Sequence, residues 1–258
     1  MLNKLREAIE KKQYAVGTFL GAANPSIVEI MGYTGLDFVV IDTEHGPYDT
    51  MPMSDLIQAA ESKGMSPVVR VADLTHKEIQ RALDNGAEGI IIPCLRDVAD
   101  FRKAVDLAKF APIGNRGFIK GRGSGFGNEP WAAGALTEYM QNSNDKVLLL
   151  PQCETTEALD SIEEIVQIEG IDGILIGPFD LSICMGIPGR FEEQEFKEAV
   201  DRILRACKQA GKLCMIFTSS PAESRMYIEK GFDAVANSID TIVFADAYKA
   251  IVEEIRKD

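Results

Sequence analysis

Apolar residues fall in short unbroken runs along this chain, separated by amphipathic stretches of helical period. The run Phe38-Val39-Val40-Ile41 stops at Asp42-Thr43-Glu44-His45, and Gly46-Pro47 follows at once. Four consecutive apolar positions, rich in Val and Ile, fit a parallel strand covered on both faces, and Gly-Pro ends it. The same pattern predicts strands over 14–20, 38–45, 67–71, 89–93, 147–154, 173–177, 213–218 and 232–238. Helical patterns over 25–33, 53–63, 76–85, 97–110, 156–168, 192–210, 222–230 and 240–256 follow them in turn. Gly35, Gly64, Gly86, Gly170, Gly211 and Gly231 stand where helices should stop, at the position glycine favours. Eight β/α units in 258 residues match an α/β (β/α)8 TIM barrel, with a doubly wound open sheet as the fallback. No linker or composition shift divides the chain, so 1–258 reads as one barrel domain.

Two stretches depart from this rhythm. Residues 111–134 are a long connection, glycine-rich over 114–127, in which Arg116, Lys120 and Arg122 concentrate positive charge. Long loops of this kind are functional or mobile. It either grips an anion or is a solvated connector whose basic residues pair with carboxylates. It is not a dinucleotide fingerprint, because no strand immediately precedes its alternating glycines. By position it lies where helices end, and it could cover a neighbouring subunit's site. The last helix carries Ile242, Val243, Phe244, Ala247, Tyr248, Ile251, Val252 and Ile255, more than the one apolar stripe that a surface helix needs. It is either a well-packed final helix or one partly buried against another subunit.

Composition narrows the classes. A net charge of −13, from 27 Lys and Arg against 40 Asp and Glu, argues against nucleic acid or an anionic membrane as partner. A chain of this length can bury roughly 70 to 75% of its unfolded surface, so it needs no covalent staples. Cys94, Cys153, Cys184, Cys207 and Cys214 form no CxxC pair and lie in or beside apolar runs, which predicts reduced, mostly buried thiols in a cytoplasmic protein. No apolar run has the length of a membrane span, and the amino terminus has no signal-like apolar region.

In a barrel, side chains at the carboxyl ends of strands face one bowl. The predicted strands deliver Asp42, Glu44 and His45 from the second, Arg70 from the third, Gln152 and Glu154 from the fifth, and Asp180 just past the sixth. Gln152 and Glu154 share parity, while Cys153 points the other way. His45 is one of two histidines, the residue type that titrates near neutrality, whereas His76 reads as an ordinary helix-start residue. Two carboxylates, Glu154 and Asp180, at ~4 Å would repel by ~4 kcal/mol at an effective dielectric near 20. A shared proton, a salt bridge to Arg70 or a divalent cation would offset that. With no cysteine or second histidine at a strand end, such a cation would be a hard Mg2+ or Mn2+, completed by water and substrate. No lysine lies within a predicted strand, which disfavours a Schiff base, and no G-x-S-x-G elbow supports a serine hydrolase.

The stretches Phe38-Val39-Val40-Ile41-Asp42-Thr43-Glu44-His45-Gly46, Val69-Arg70-Val71, Pro151-Gln152-Cys153-Glu154-Thr155 and Ile176-Gly177-Pro178-Phe179-Asp180-Leu181-Ser182 resemble the HpcH/HpaI family of metal-dependent pyruvate aldolases, relatives of citrate and malyl-CoA lyases. The likeness runs in order over nearly the whole chain. It implies His45 as base, Arg70 as stabiliser of an enolate oxygen, and Glu154 and Asp180 as ligands of Mg2+ or Mn2+, with Co2+ also accepted. It implies Gln152 as a substrate contact, with Asp180 beside the substrate and the backbone at Phe179 meeting its carboxylate. It also picks Asp84 as the carboxylate that makes His45 a stronger base, although the pattern puts Asp84 at a helix end, away from the bowl. The two readings agree if Asp84 comes from a neighbouring subunit, in a hexamer built as a trimer of dimers with exchanged carboxyl-terminal helices.

Phe179 stands where the family shows a small residue, Phe19 where it often shows Trp, and the glycine-rich loop lacks a second arginine near Gly125. The activity implied is reversible cleavage of a 4-hydroxy-2-oxo acid, such as 4-hydroxy-2-oxoheptanedioate or a 2-keto-3-deoxy sugar acid, to pyruvate and an aldehyde. The alternative is a Claisen-type lyase or synthase using the same enolate on oxaloacetate or acyl-CoA, as in citrate formation for siderophore assembly. A non-catalytic binder of metal and keto acid would not need a base and an enolate stabiliser beside the carboxylates.

Overall fold

The computed structural model describes residues 3–47 and 50–257. After α1 (Lys4–Lys12) come β1 (Ala15–Leu20), α2 (Pro25–Gly32), β2 (Phe38–Asp42), α3 (Thr50–Ser62), β3 (Ser66–Arg70), α4 (His76–Asp84), β4 (Gly89–Ile91) and α5 (Val98–Ala108). The long connection contains short 3-10 turns at Arg122–Gly127 and Pro130–Ala132, then α6 (Leu136–Lys146), a helix that the sequence pattern did not predict. The second half runs β5 (Leu148–Leu149), β6 (Gln152–Cys153), α7 (Thr156–Asp160), α8 (Ile162–Ile165), β7 (Gly173–Ile176), α9 (Pro178–Cys184), α10 (Gln194–Gln209), β8 (Leu213–Thr218), α11 (Pro221–Glu229), β9 (Ala234–Ile239) and α12 (Asp240–Ile255).

All strands pair in parallel, in the order β5-β4-β3-β2-β1-β9-β8-β7-β6. The single strand expected over 147–154 is interrupted at Leu150-Pro151, because proline has no N–H for the ladder. Both flanks of the sheet nevertheless meet on this stretch. Leu150 donates to the Ile90 carbonyl at 2.8 Å on one side, and the Pro151 carbonyl accepts from Leu175 at 3.1 Å on the other. The sheet therefore curls back onto itself, consistent with a TIM-like barrel.

Alternation along each strand sorts the core into two layers. Phe38, Val40, Val68, Ile91, Leu148 and Leu175 fill the inside of the curl, while Val39, Ile41, Val69, Ile90 and Ile174 face the helices. Gly17 makes room for this packing, since a Cβ there would lie 2.5 Å from the Phe38 ring. Leu5 of α1, fully buried, joins the inner layer, and burying such a side chain is worth about 1.5–3 kcal/mol. Asn3 holds α1 in place. Its carbonyl oxygen accepts from Leu5 and Arg6 as an N-cap, and its amide donates to the Glu88 and Lys146 carbonyls at 2.7 and 2.9 Å.

Elsewhere the elements shift from expectation for local reasons. The helix expected over 156–168 breaks at Ser161, and a short helix, α9, intervenes between β7 and α10. Helix α12 does not pack on the barrel. Only Asp240 in it is buried, accepting from the Gly21 and Ala22 amides at 2.7 and 3.2 Å, while Phe244, Tyr248 and Ile255 are 65, 56 and 77% exposed. A well-packed final helix is thus not what the protomer contains. In the glycine-rich connection, Arg116 is buried against the carboxylate of Asp84 at 2.9 Å, with its guanidinium 4.7 Å from the centre of the Phe110 ring. Arg122 pairs with Glu61 and donates to the Asn85 carbonyl. Among the described residues, no helix is long and apolar enough to cross a membrane.

Candidate active site

Strand β2 ends at Asp42, three residues earlier than its pattern predicts. The Asp42 carboxylate accepts from the amides of Glu44 and His45 at 3.2 and 3.4 Å, so 43–45 turn instead of continuing the ladder. Thr43 closes the turn, its hydroxyl donating to the Arg70 carbonyl at 2.7 Å. His45 therefore sits on a turn at the rim. Its side chain is 72% exposed, and its Nε2 is 3.9 Å from Glu44 Oε2.

The parallel register puts Asp42 beside Arg70, the last residue of β3. Arg70 donates from Nε and Nη2 to the two Asp42 oxygens at 2.9 and 2.6 Å, a bidentate pair with both side chains almost wholly buried. Its Nη1 lies 2.9 Å from Glu44 Oε2, and its face covers the Phe19 ring at 5.0 Å. Burial alone would lower the pKa of this guanidinium, but the two carboxylates outweigh it and hold the charge more firmly.

Glu154 follows β6 directly and is buried. One oxygen accepts from the Cys94 amide at 2.5 Å, and the other accepts from the Gln152 side-chain amide. Cys94, just beyond β4, adopts a left-handed backbone (φ 60°), which cysteine rarely does, and this turns its N–H toward Glu154. Gly177 is required here too, because a Cβ would lie 2.5 Å from Gln152 Nε2 and 2.9 Å from Glu154 Oε2. Desolvation pushes the Glu154 carboxyl pKa up, against the Cys94 amide that lowers it, and the neighbouring Asp180 and Glu44 charges raise it further. Glu44 is likewise raised, first by burial, with Arg70 opposing. The Cys94 thiol, hemmed in by burial and by Glu154 and Glu44, is pushed up to about 11. Asp180 lies exposed in the first turn of α9.

His45, Arg70, Gln152, Phe179 and Asp180 line one cavity of about 230 Å³, together with Asp42. Glu154 borders it through Gln152. Two acceptors here have no hydrogen-bond donor, Gln152 Oε1 and Glu44 Oε2, the latter close to Arg70 but off its N–H axis. Orphaned acceptors cost about 1–3 kcal/mol each when buried, so they mark where a ligand's donor or a cation fits. Among the described residues no three His, Cys, Asp or Glu side chains converge as a ready-made metal cage. The oxygen donors of Glu154 and Asp180 fit a hard divalent ion that takes its other ligands from water or substrate.

Asp84 is not in this cavity. It ends α4 at the opposite end of the barrel, paired with Arg116, and lines a separate small cavity with Glu88, Lys146 and Tyr139. Of the basic loop residues, Arg116 and Arg122 already have carboxylate partners within the chain. The expectation that no cysteine stands at a strand end is corrected by Cys94, and burial holds only for Cys153, Cys207 and Cys214, since Cys94 and Cys184 are exposed. The bidentate hold of Asp42 on Arg70 was also not anticipated. Its signal was available, because Asp42 and Arg70 end neighbouring parallel strands.

This face is where barrel enzymes carry out their chemistry, whatever the reaction. A family model for HpcH/HpaI aldolase/citrate lyase matches residues 15–247. The chain belongs to the HpcH/HpaI aldolase/citrate lyase family. It is 32% identical over 256 residues to a hydroxypyruvate/pyruvate aldolase of Cupriavidus necator, covering 99% of this chain and 93% of that protein. It is 31% identical over 252 residues to a 4-hydroxy-2-oxo-heptane-1,7-dioate aldolase of Salmonella dublin, covering 97% and 94%. Among solved structures, the HpcH/HpaI aldolase from Desulfitobacterium hafniense DCB-2 superposes with a TM-score of 0.90 at 30% identity, covering 100% of this chain and 98% of that one. Citrate synthase SbnG superposes with a TM-score of 0.87 at 26% identity, covering 98% and 97%.

Proposed function

We propose that this chain is a divalent-metal-dependent aldolase that reversibly cleaves a 4-hydroxy-2-oxo acid into pyruvate and an aldehyde. The observation that carries the reading is Arg70, buried and fixed by Asp42, lining the same cavity as His45, Gln152 and Asp180. Glu154 and Asp180 would hold the ion, Mg2+ or Mn2+, with Co2+ as a further candidate. When bound, the ion supplies Lewis acidity toward the substrate's carboxylate and 2-oxo groups. Gln152 contacts the substrate, and the backbone at Phe179 offers an amide to its carboxylate. His45 takes the proton of the C4 hydroxyl as the C3–C4 bond breaks. The electron pair of that bond moves toward the 2-oxo oxygen, C4 leaves as the aldehyde carbonyl, and protonation at C3 gives pyruvate. Arg70 meets the charge that builds on the oxygen, a contribution of about 3 to 4 kcal/mol for a preorganised donor.

Among the described residues, His45 has no aspartate partner in its own chain, because Asp84 lies at the other end of the barrel. The reading therefore includes a homo-oligomer, a hexamer built as a trimer of dimers, in which Asp84 of the partner subunit reaches His45. The exposed apolar α12 supports exchange of this helix between subunits. Mixing His45→Ala and Asp84→Ala subunits tests the arrangement. Each variant alone should be inactive and the mixture partly active, whereas an inactive mixture would argue against it.

The experiment for the activity is pyruvate release, coupled to lactate dehydrogenase, over a panel of 4-hydroxy-2-oxo acids with Mg2+, Mn2+ or chelator. Turnover should require the ion and leave no borohydride-trapped adduct. Chelator-insensitive turnover or trapping would overturn the mechanism. The second reading, a Claisen-type synthase or lyase, is favoured by the likeness to citrate synthase SbnG. Condensation of oxaloacetate or acyl-CoA without any retro-aldol turnover would select it.

A further inference from the structure

One side of the cavity is aromatic, lined by Phe19, Phe179 and Phe217, with Phe191 packed behind Phe179. Starting at Arg70, which covers Phe19 at 5.0 Å, Phe19 meets Phe217 edge-on at 5.6 Å, Phe217 meets Phe179 at 6.0 Å, and Phe179 meets Phe191 at 5.1 Å in a T-shape of 89°. Leu175 and Ile239 continue the apolar lining. Phe179 keeps 45% of its surface exposed, so its ring has area left for a ligand to cover. Among the described residues, Arg70 is the only Lys or Arg lining the cavity, and Asp42 and Glu44 occupy it. A second carboxylate laid on this protomer's aromatic wall would lose its hydration there without meeting a cation, which is unfavourable. Rings at such a wall favour edge-to-face contact with another ring, and a branched alkyl group packed on them is drawn out of water.

We infer that, within the aldolase reading on which this rests, the aldehyde portion of the substrate is uncharged and apolar, an aryl or branched alkyl group packed on Phe179 and Phe217. A dicarboxylic or polyhydroxy chain is disfavoured. The test measures kcat/KM for addition of pyruvate to benzaldehyde and 3-methylbutanal against succinic semialdehyde and glycolaldehyde, using the Mg2+- or Mn2+-loaded enzyme. The apolar acceptors should be favoured about 10- to 200-fold, the range that an apolar pocket achieves. In Phe179→Ala and in Phe217→Ala the ratio should fall by about tenfold. The ratio is read within each variant, so a general loss of activity or folding cancels. A wild type that prefers succinic semialdehyde or glycolaldehyde, or a ratio unchanged in both variants, would overturn the inference. Deuterium exchange at C3 of pyruvate, without aldehyde, separates the two levels. Exchange with the wrong acceptor preference sinks only the specificity, and absent exchange sinks the aldolase reading beneath it.

Discussion

Replacing Asp42 with asparagine removes a negative charge from a bidentate contact in which both side chains are nearly inaccessible to water. Arg70 Nε and Nη2 lie 2.9 and 2.6 Å from the two Asp42 oxygens. An amide of the same shape can face only one of these donors with oxygen, so an N–H opposes an N–H at the other. Breaking a buried ion pair by removing one partner costs about 3–5 kcal/mol. Glu44, 2.9 Å from Nη1, still balances part of the charge, so a loss near the lower end, about 3 kcal/mol, is expected. The freed guanidinium would swing toward Glu44, and pyruvate release should fall by about a hundredfold or more, as when an oxyanion donor is lost. Urea unfolding at fixed protomer concentration measures the first effect, and the coupled assay the second. A cycle with Arg70→Met isolates the pair, with a coupling of at least about 1 kcal/mol expected for contacting groups. A single-variant change under about 0.5 kcal/mol, or no coupling, would refute the reasoning.

Other consequences can be checked separately. Mg2+ or Mn2+ should raise the unfolding temperature of the parent, equivalent to about 2.7 kcal/mol at a hundredfold excess over Kd, and should not do so in Glu154→Gln; equal shifts in both would remove Glu154 from the ion's ligands. Cys94 is exposed, but in the metal-free protein burial and the nearby Glu154 and Glu44 carboxylates push its thiol up to about 11, so the reactive thiolate is scarce. Mass-spectrometric alkylation of Cys94 at pH 8 should run about a hundredfold slower than for an ordinary thiol and speed up as pH rises toward 11; an ordinary rate at pH 8 would contradict the crowding by Glu154 and Glu44. Lys109, buried and donating to the Asn144 and Val147 carbonyls and Asp172, should cost about 3 kcal/mol when replaced by Met, read by urea unfolding. Phe244→Glu and Tyr248→Glu in α12 touch nothing buried in the protomer, so they should lower the assembly mass by sedimentation velocity; an unchanged mass would count against helix exchange.

Much of the barrel was legible because its strands are covered on both faces. Residues such as Val39 and Val40 must both be apolar, so each strand is an unbroken run, and a glycine marks most helix ends. His45, Arg70, Gln152 and Asp180 could be placed from the same logic, since a strand's carboxyl end opens on one bowl whatever its place in the chain. The pattern was less informative where a local bond competes with the ladder. Asp42 captures the two amides after it and ends β2 early, Pro151 cannot donate and splits a strand, and α6 has a weak apolar stripe inside a loop-like composition.

By itself the sequence determined the alternation of strands and helices, the acidic surface and the polar residues delivered to one end, because these follow from local periodicity and counted charge. Tertiary structure alone decided what those residues touch. Register set Asp42 against Arg70, curling of the sheet brought the Cys94 amide onto Glu154, and the aromatic chain from Phe19 to Phe179 exists only because three separate strand ends converge. It also left α12 standing free and put Asp84 at the far end of the barrel, since each helix runs antiparallel to its strands and ends beside their amino termini.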